Sequence, residues 1–177
     1  MDSLVPYLLP LIYISPCYAT NSAPLFLANI LDERMPLDFG KKFRDGKRIL
    51  GDGKTVEGTI FGFIVGYLYF TVIYYMQMLL DIPFIYVNML EGFLLVTGSL
   101  IGDIIGSFIK RRLNIERGDT LPIFDQTGFL IFAILLRSIF LGPISYDLVI
   151  YLFTITFLVH VLTNASAFKM GIKDKPL

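Results

Sequence analysis

Between Gly102 and Asp125 the chain reads GDIIGSFIKRRLNIERGDTLPIFD. Four carboxylates, Asp103, Glu116, Asp119 and Asp125, alternate here with the cations Lys110, Arg111, Arg112 and Arg117. With residues 92–109 helical, Asp103, Ser107 and Lys110 fall at i, i+4 and i+7 and share one helix face. That face carries a hard oxygen ligand, a hydroxyl and a cation, a set suited to Mg²⁺ and phosphate. The same charges also suit a solvated cytoplasmic loop that does no more than set topology. Spacing alone leaves both readings open.

A second stretch, Gly51-Asp52-Gly53-Lys54-Thr55, pairs a flexible backbone with a cation and a hydroxyl, like a short phosphate cradle. It is not a Walker loop, because the spacing differs and no strand pattern precedes it. The chain has one histidine and no serine or cysteine in a nucleophile elbow, so no catalytic triad can be assembled. Its only cysteine, Cys17, excludes an internal disulfide and a cysteine metal cluster. A net charge of zero implies no general attraction to nucleic acid. What remains is Asp, Lys, Arg, Ser, Thr and Asn, the side chains that handle phosphates with a divalent cation.

The elements that must position these groups are apolar. Of 177 residues, 55% are hydrophobic, and the mean hydropathy is +0.67. The expected fold is therefore an all-α integral membrane protein with about five transmembrane helices in a single domain, 1–177. The expected spans are 3–31, 58–80, 82–109, 126–146 and 148–168, with charged loops at 32–57 and 110–125. The start lacks the pattern of a cleaved signal peptide, so the first run reads as a permanent span. Pro6, Pro10, Pro16 and Pro24 are expected to interrupt it. Its second half is polar: Ser15, Thr20 and Ser22 can bond back to their own helix, whereas the Asn21 amide needs several partners. Glycines at 58, 62 and 66 and at 98, 102 and 106 form two stripes of small residues, which predict that the second and third spans cross tightly. Glu91 is the only charge of residues 82–102 and Arg137 the only charge of its span; Arg137 is expected to snorkel or to pair with an acid such as Glu91. His160 and Asn164 lie one turn apart in the last span. The first loop holds seven of the fifteen Lys and Arg, the second holds four, and the tail holds three. The positive-inside rule then places both loops and the C-terminus in the cytoplasm and the N-terminus outside.

GDIIGSFIKRR, Leu121-Pro122, Phe124-Asp125 and Lys54-Thr55-Val56-Glu57-Gly58 together resemble the signature of membrane CTP-dependent phosphatidate cytidylyltransferases. The Gly-His-Gly-Gly segment of those enzymes is missing, and Gln126 stands where they carry Arg. The chain is closer to the archaeal CDP-archaeol synthase family. It shares that family's Asn21-Ser22-Ala23-Pro24, Pro36-Leu37-Asp38-Phe39-Gly40, Gly51-Asp52-Gly53-Lys54-Thr55, Asp125-Gln126 and Gly171-Ile172-Lys173-Asp174 elements. This resemblance implies a cell-membrane enzyme that transfers CMP from CTP to an isoprenoid ether phospholipid acid, with Mg²⁺ as cofactor. It also implies site roles. Asp103 and Asp125 would hold the metal, while Lys110, Arg111 and Lys54 would hold phosphates. Thr55 and Ser107 would donate hydrogen bonds, and Glu57 would ligate the metal or orient Lys54. Asn21, Asp38, Gln126, His160 and Asn164 would line the site. Two other readings stand beside this one: a CTP-dependent polyprenol or phytol kinase, and a small transporter or scaffold.

Overall fold

The computed structural model of the protein describes residues 5–80, 86–116, 119, 121 and 123–169. Arg117, Pro122 and the Gly171–Asp174 element lie outside the described residues, as does the tail beyond Lys169. Among the described residues five helices follow in order: α1 (Val5–Ala28), α2 (Val56–Leu79), α3 (Met89–Arg112), α4 (Phe124–Leu141) and α5 (Tyr146–Lys169). Four of them, α2 to α5, are long and apolar enough to cross a membrane. Polar residues dilute α1, although it too has 24 residues.

Local chemistry sets the helix ends. Thr55 caps α2 by accepting from the Gly58 N–H, and Glu57 in the first turn faces the positive end of the helix dipole. Asn88 caps α3 in the same way through the Glu91 N–H, and Lys110, Arg111 and Arg112 sit at its negative end. Because α3 runs on to Arg112, Asp103 lies nine residues, or about 14 Å, before the helix end. It is thus recessed within the bundle rather than placed at its rim.

The prolines do not break α1, which stays helical through Pro10, Pro16 and Pro24. A proline removes one N–H and frees the carbonyl four residues earlier, and such carbonyls need other partners at membrane depth. Pro16 frees Ile12 O, which accepts from Tyr86 OH (2.8 Å) and Ser15 Oγ (2.7 Å). Pro24 frees Thr20 O, against which α2 lays Gly62: a Cβ there would come within 2.7 Å of that oxygen.

Gly62 also marks a departure from the expected packing. The two glycine stripes do not face each other. Gly62 and Gly66 of α2 receive α1 at Thr20. Gly98 and Gly102 of α3 receive the backbone of α4, where a Cβ would lie 2.5 Å from Phe132 O or 2.7 Å from Gly128 O. A small-residue stripe announces a close approach and carries no information about its partner.

At the end of the bundle remote from the loops, the expected pairing of Arg137 with Glu91 is present. Glu91 is 1% exposed. Its Oε1 accepts from Arg137 Nε (2.7 Å) and Tyr13 OH (2.8 Å), and its Oε2 accepts from the Val87 N–H (2.8 Å). Arg137 also donates to Gly142 O (2.6 Å). The carboxylate therefore ties α1, α3 and α4 together, next to a core of Ile14, Cys17, Phe70, Tyr86, Leu95 and Leu130. On α5, by contrast, only Leu152 and Thr156 are buried among the residues whose burial is described.

The segment between α1 and α2 is a small folded platform. Its ends pair antiparallel, Leu37 N–H to Lys54 O (2.7 Å) and Val56 N–H to Met35 O (2.9 Å). A turn at Asp45-Gly46 closes the part between, with Gly46 at φ +78°. Asp38 is its hub: the carboxylate accepts from Arg48, from Leu50 N–H (2.9 Å), Gly51 N–H (3.0 Å) and Gly40 N–H (3.1 Å). The end of α3 clasps the platform. Arg112 stacks on Phe43 and Phe108, each 4.9 Å away, and reaches Asp45 (3.1 Å), while Lys47 donates to Arg112 O (3.2 Å).

Two predictions follow from this architecture. Gly102→Ala should force α3 and α4 apart and destabilise the fold by about 1–3 kcal/mol in a detergent melt. Ile101→Ala, on an exposed face one residue away, should cost less than about 0.5 kcal/mol. The second concerns acid. Burial alone would raise the Asp38 carboxyl, but Arg48 and the three backbone N–H groups outweigh it and hold the group well below the usual carboxylate range. A depressed pKa stabilises fully above the unfolded value, about 3.9, and the gain is lost as pH falls below it toward the folded value. Amide exchange at Leu50 and Gly51 should therefore accelerate below about pH 4 beyond its intrinsic rate. Asp38→Asn should exchange faster at neutral pH and lack that acid step.

Candidate active site

A cavity of about 810 Å³ opens between α1, α3, α4 and α5, roofed in part by Lys54 from the platform. Its two walls differ in kind. The α3–α4 wall is charged, with Asp103, Ser107, Lys110 and Asp125. The α1–α5 wall is neutral and polar, with Tyr18, Asn21, Ser22, His160, Thr163 and Asn164.

Each carboxylate of the charged wall has a lysine. Lys54 Nζ donates to Asp103 Oδ2, so the platform is latched to the middle of α3. Lys110 Nζ donates to Asp125 Oδ2 at 2.8 Å, joining the end of α3 to the start of α4. The same Oδ2 accepts from Leu121 N–H at 2.8 Å. The α4 start is tightly wound: Ile123, exposed and β-branched, sits at φ +69°, a conformation that side chains of its type seldom adopt. Gln126 Oε1 accepts from Ile123 N–H (2.7 Å) and Thr127 Oγ1 donates to Ile123 O (2.8 Å), so two side chains of α4 hold the strained residue. Gly106, beside Phe124, lets α4 begin close to α3.

On the neutral wall, Tyr18 OH shares a hydrogen bond with Thr156 Oγ1 (2.6 Å). The Tyr18 ring meets Phe129 edge-on at 5.7 Å, and the His160 ring lies 6.3 Å from Tyr18 and 6.0 Å from Phe129. Asn21 donates from Nδ2 to Cys17 O (2.8 Å) and to Ser99 Oγ (2.6 Å), bridging α1 to α3. Its neighbours Thr20 and Ser22 bond back to their own helix, at Pro16 O and Ala19 O.

The structure thus brings Asp103, Asp125, Lys54, Lys110, Ser107, Asn21, His160 and Asn164 around one cavity. Five other residues singled out from the sequence do not line it. Asp38 is buried inside the platform, where its carboxylate is consumed by Arg48 and three N–H groups. Thr55 is occupied as the α2 cap. Glu57 accepts from Met35 N–H (3.0 Å) and so supports the platform rather than orienting Lys54. Gln126 is buried at the strained turn. Arg111 lies against the backbone at Gly51, 3.3 Å from where a Cβ would stand. Nor is the Gly51 segment an open cradle, since the Gly51 N–H is already given to Asp38. Tyr18, Thr163, Phe124 and Phe129 were missed as lining residues. For Thr163 a signal exists, because it adjoins His160 and Asn164 at helical spacing; no local pattern separates these aromatics from core residues.

Comparisons with known proteins show the family of the chain. The CarS-like family, described as CDP-archaeol synthase, matches over residues 2–177. A CDP-archaeol synthase of Pyrococcus horikoshii is 45% identical over 172 residues, 93% of each chain. One of Methanococcus aeolicus is 41% identical over 170 residues, 92% of each chain. A solved structure described as an intramembrane enzyme for archaeal membrane lipids biosynthesis superposes with a TM-score of 0.72 at 29% identity, covering 86% of this chain and 90% of its own. With four apolar helices of spanning length and a relative that works inside the bilayer, this is a multi-pass membrane protein. The chain belongs to the CDP-archaeol synthase family and is an enzyme of the nucleotidyltransferase type.

Proposed function

We propose that the chain transfers CMP from CTP to the phosphate of an unsaturated archaetidic acid, giving CDP-archaeol and pyrophosphate, with Mg²⁺ as cofactor. The observation that carries this reading is the charged wall, where two lysine-paired carboxylates on neighbouring helices face one cavity inside an apolar bundle. Neither carboxylate side chain is fully buried, at 36% and 29% exposed for Asp103 and Asp125, so both are reachable.

The chemistry is a displacement at the α-phosphorus. A lipid phosphate oxygen forms the new P–O bond, the bond from the α-phosphorus to its bridging oxygen breaks, and pyrophosphate leaves with the electron pair. A phosphate monoester has a second pKa of about 6 and is already largely dianionic, so no strong base or covalent nucleophile is needed. The difficulty is the approach of two anions, which positive charge must offset. In this reading Lys54 and Lys110 exchange their carboxylate partners for phosphate oxygens.

The donor set suits Mg²⁺. Among the described residues no three His, Cys, Asp or Glu side chains cluster to cage an ion. Two aspartates and a hydroxyl lining one cavity match an ion that takes one or two carboxylates and completes its shell with substrate phosphates and water. Asp103 and Asp125 would hold it, and it would supply charge stabilisation to the phosphates. CTP is water-soluble, and the cation-rich loops lie at the site end. Both fit a cell-membrane protein with its active site and C-terminus on the cytoplasmic side and its N-terminus outside.

The test is CTP turnover in liposomes with archaeal or diacyl phosphate lipids, with α- and γ-labelled nucleotide. The expected products are labelled CDP-lipid and pyrophosphate. Release of CDP with γ-label on the lipid would identify a kinase instead, and no lipid-dependent turnover would favour a transporter or scaffold. Asp103→Asn should lower kcat by about 100-fold or more while the protein still inserts and melts as wild type. Near-normal turnover in that variant would remove the metal assignment.

A further inference from the structure

The polarity of Asn21 is settled by its surroundings. A carbonyl oxygen can only accept, so the amide atom 2.8 Å from Cys17 O must be Nδ2. The second Nδ2 hydrogen goes to Ser99 Oγ at 2.6 Å, and Ser99 is fully buried. Both hydrogens are thereby committed to the bundle. Asn21 lines the cavity, and the one polar atom of its amide left for a ligand is Oδ1, to which no described group donates. This atom is an acceptor only. Its bridging partner Ser99 lies one helical turn below Asp103, so Oδ1 sits deeper in the cavity than the charged wall.

The two proposed substrates differ in what they can offer such an atom. The lipid acid has both remaining glycerol oxygens tied up as ethers and a phosphate that is largely dianionic, so it presents acceptors. The nucleotide carries donors, namely the ribose hydroxyls and the exocyclic amine of cytosine. We propose that Asn21 Oδ1 accepts a hydrogen bond from the nucleoside part of the nucleotide, making Asn21 a specificity-determining residue and the neutral wall around it the nucleoside side of the cavity. The assignment rests on the cytidylyltransferase reading above. The charged wall then takes the phosphates, and the deep amide acts as a filter that a donor-less nucleotide cannot satisfy.

The experiment compares kcat/KM for CTP, UTP and 2′- and 3′-deoxy-CTP on the same lipid phosphate, in wild type, Asn21→Ala and Ser99→Ala. Ratios taken within one variant do not depend on how much of it is folded. Wild type should disfavour at least one of the three nucleotides, each of which lacks one of these donors, by about tenfold or more. Asn21→Ala should shrink that preference to about threefold or less, and Ser99→Ala, which releases one tether of the amide, should shrink it by a smaller factor. Collapse of the CTP/UTP ratio identifies the amine as the donor; collapse of a deoxy ratio identifies that hydroxyl. A wild type indifferent to all three substitutions overturns the proposal. So do ratios that stay at wild-type values in whichever variant folds, as they would if Asn21 held only the helices or a metal-bound water. Absence of CTP-dependent transfer in wild type would instead refute the cytidylyltransferase reading itself.

Discussion

The approach of α3 to α4 is the contact on which the site depends. Gly98 and Gly102 let the α4 backbone come so near that a single methyl group on either would collide with it. The consequence is chemical. Asp103 and Lys110 ride on α3 and Asp125 starts α4, so the spacing of the two carboxylates is set by backbone against backbone, the least deformable contact available. The second lysine comes from outside the bundle, and its bond to Asp103 makes the platform part of the candidate site.

The two ends of the bundle are built on different terms. At the end remote from the platform, Glu91, Arg137 and Tyr13 form a satisfied, buried polar cluster, and Tyr86 takes the carbonyl that Pro16 frees. Breaking such a cluster leaves an uncompensated charge in an apolar medium, which resists any relative movement of α1, α3 and α4. At the platform end the polar groups point into a cavity, and α5 closes one side with few buried residues of its own. A rigid base thus supports an open mouth, a division of labour that suits a cavity whose charged groups are held in register.

The platform shows that charge density is a poor guide to which residues meet a ligand. Asp38, Arg48, Asp45 and Arg112 pair with one another and with loop backbone, through ion pairs and hydrogen bonds. Their work is to hold Lys54 over the cavity. A loop cannot place a lysine accurately unless its own polar groups are satisfied first. The acidic hub at Asp38 and the stacked Arg112 supply that satisfaction.

The amino-acid order alone determined the class of the molecule and the content of its charged wall. Long uncharged runs have no stable alternative to apolar helices, and Asp103, Ser107 and Lys110 share a face by helical period whatever surrounds them. It also marked Asn21 as a residue in need of partners, and Glu91 and Arg137 as charges that must meet, because bare polar groups at membrane depth are costly. Tertiary structure decided everything that depends on which helix neighbours which. The glycine stripes of α2 and α3 turned to α1 and α4 instead of to each other, because smallness permits approach without choosing a partner. Motif residues such as Thr55, Glu57 and Gln126 became caps and loop supports, since hydrogen bonds to nearby backbone are satisfied locally before any ligand arrives. Tyr18 and Phe129 became cavity wall because α5 packs against them loosely, a fact that no local pattern of residues records.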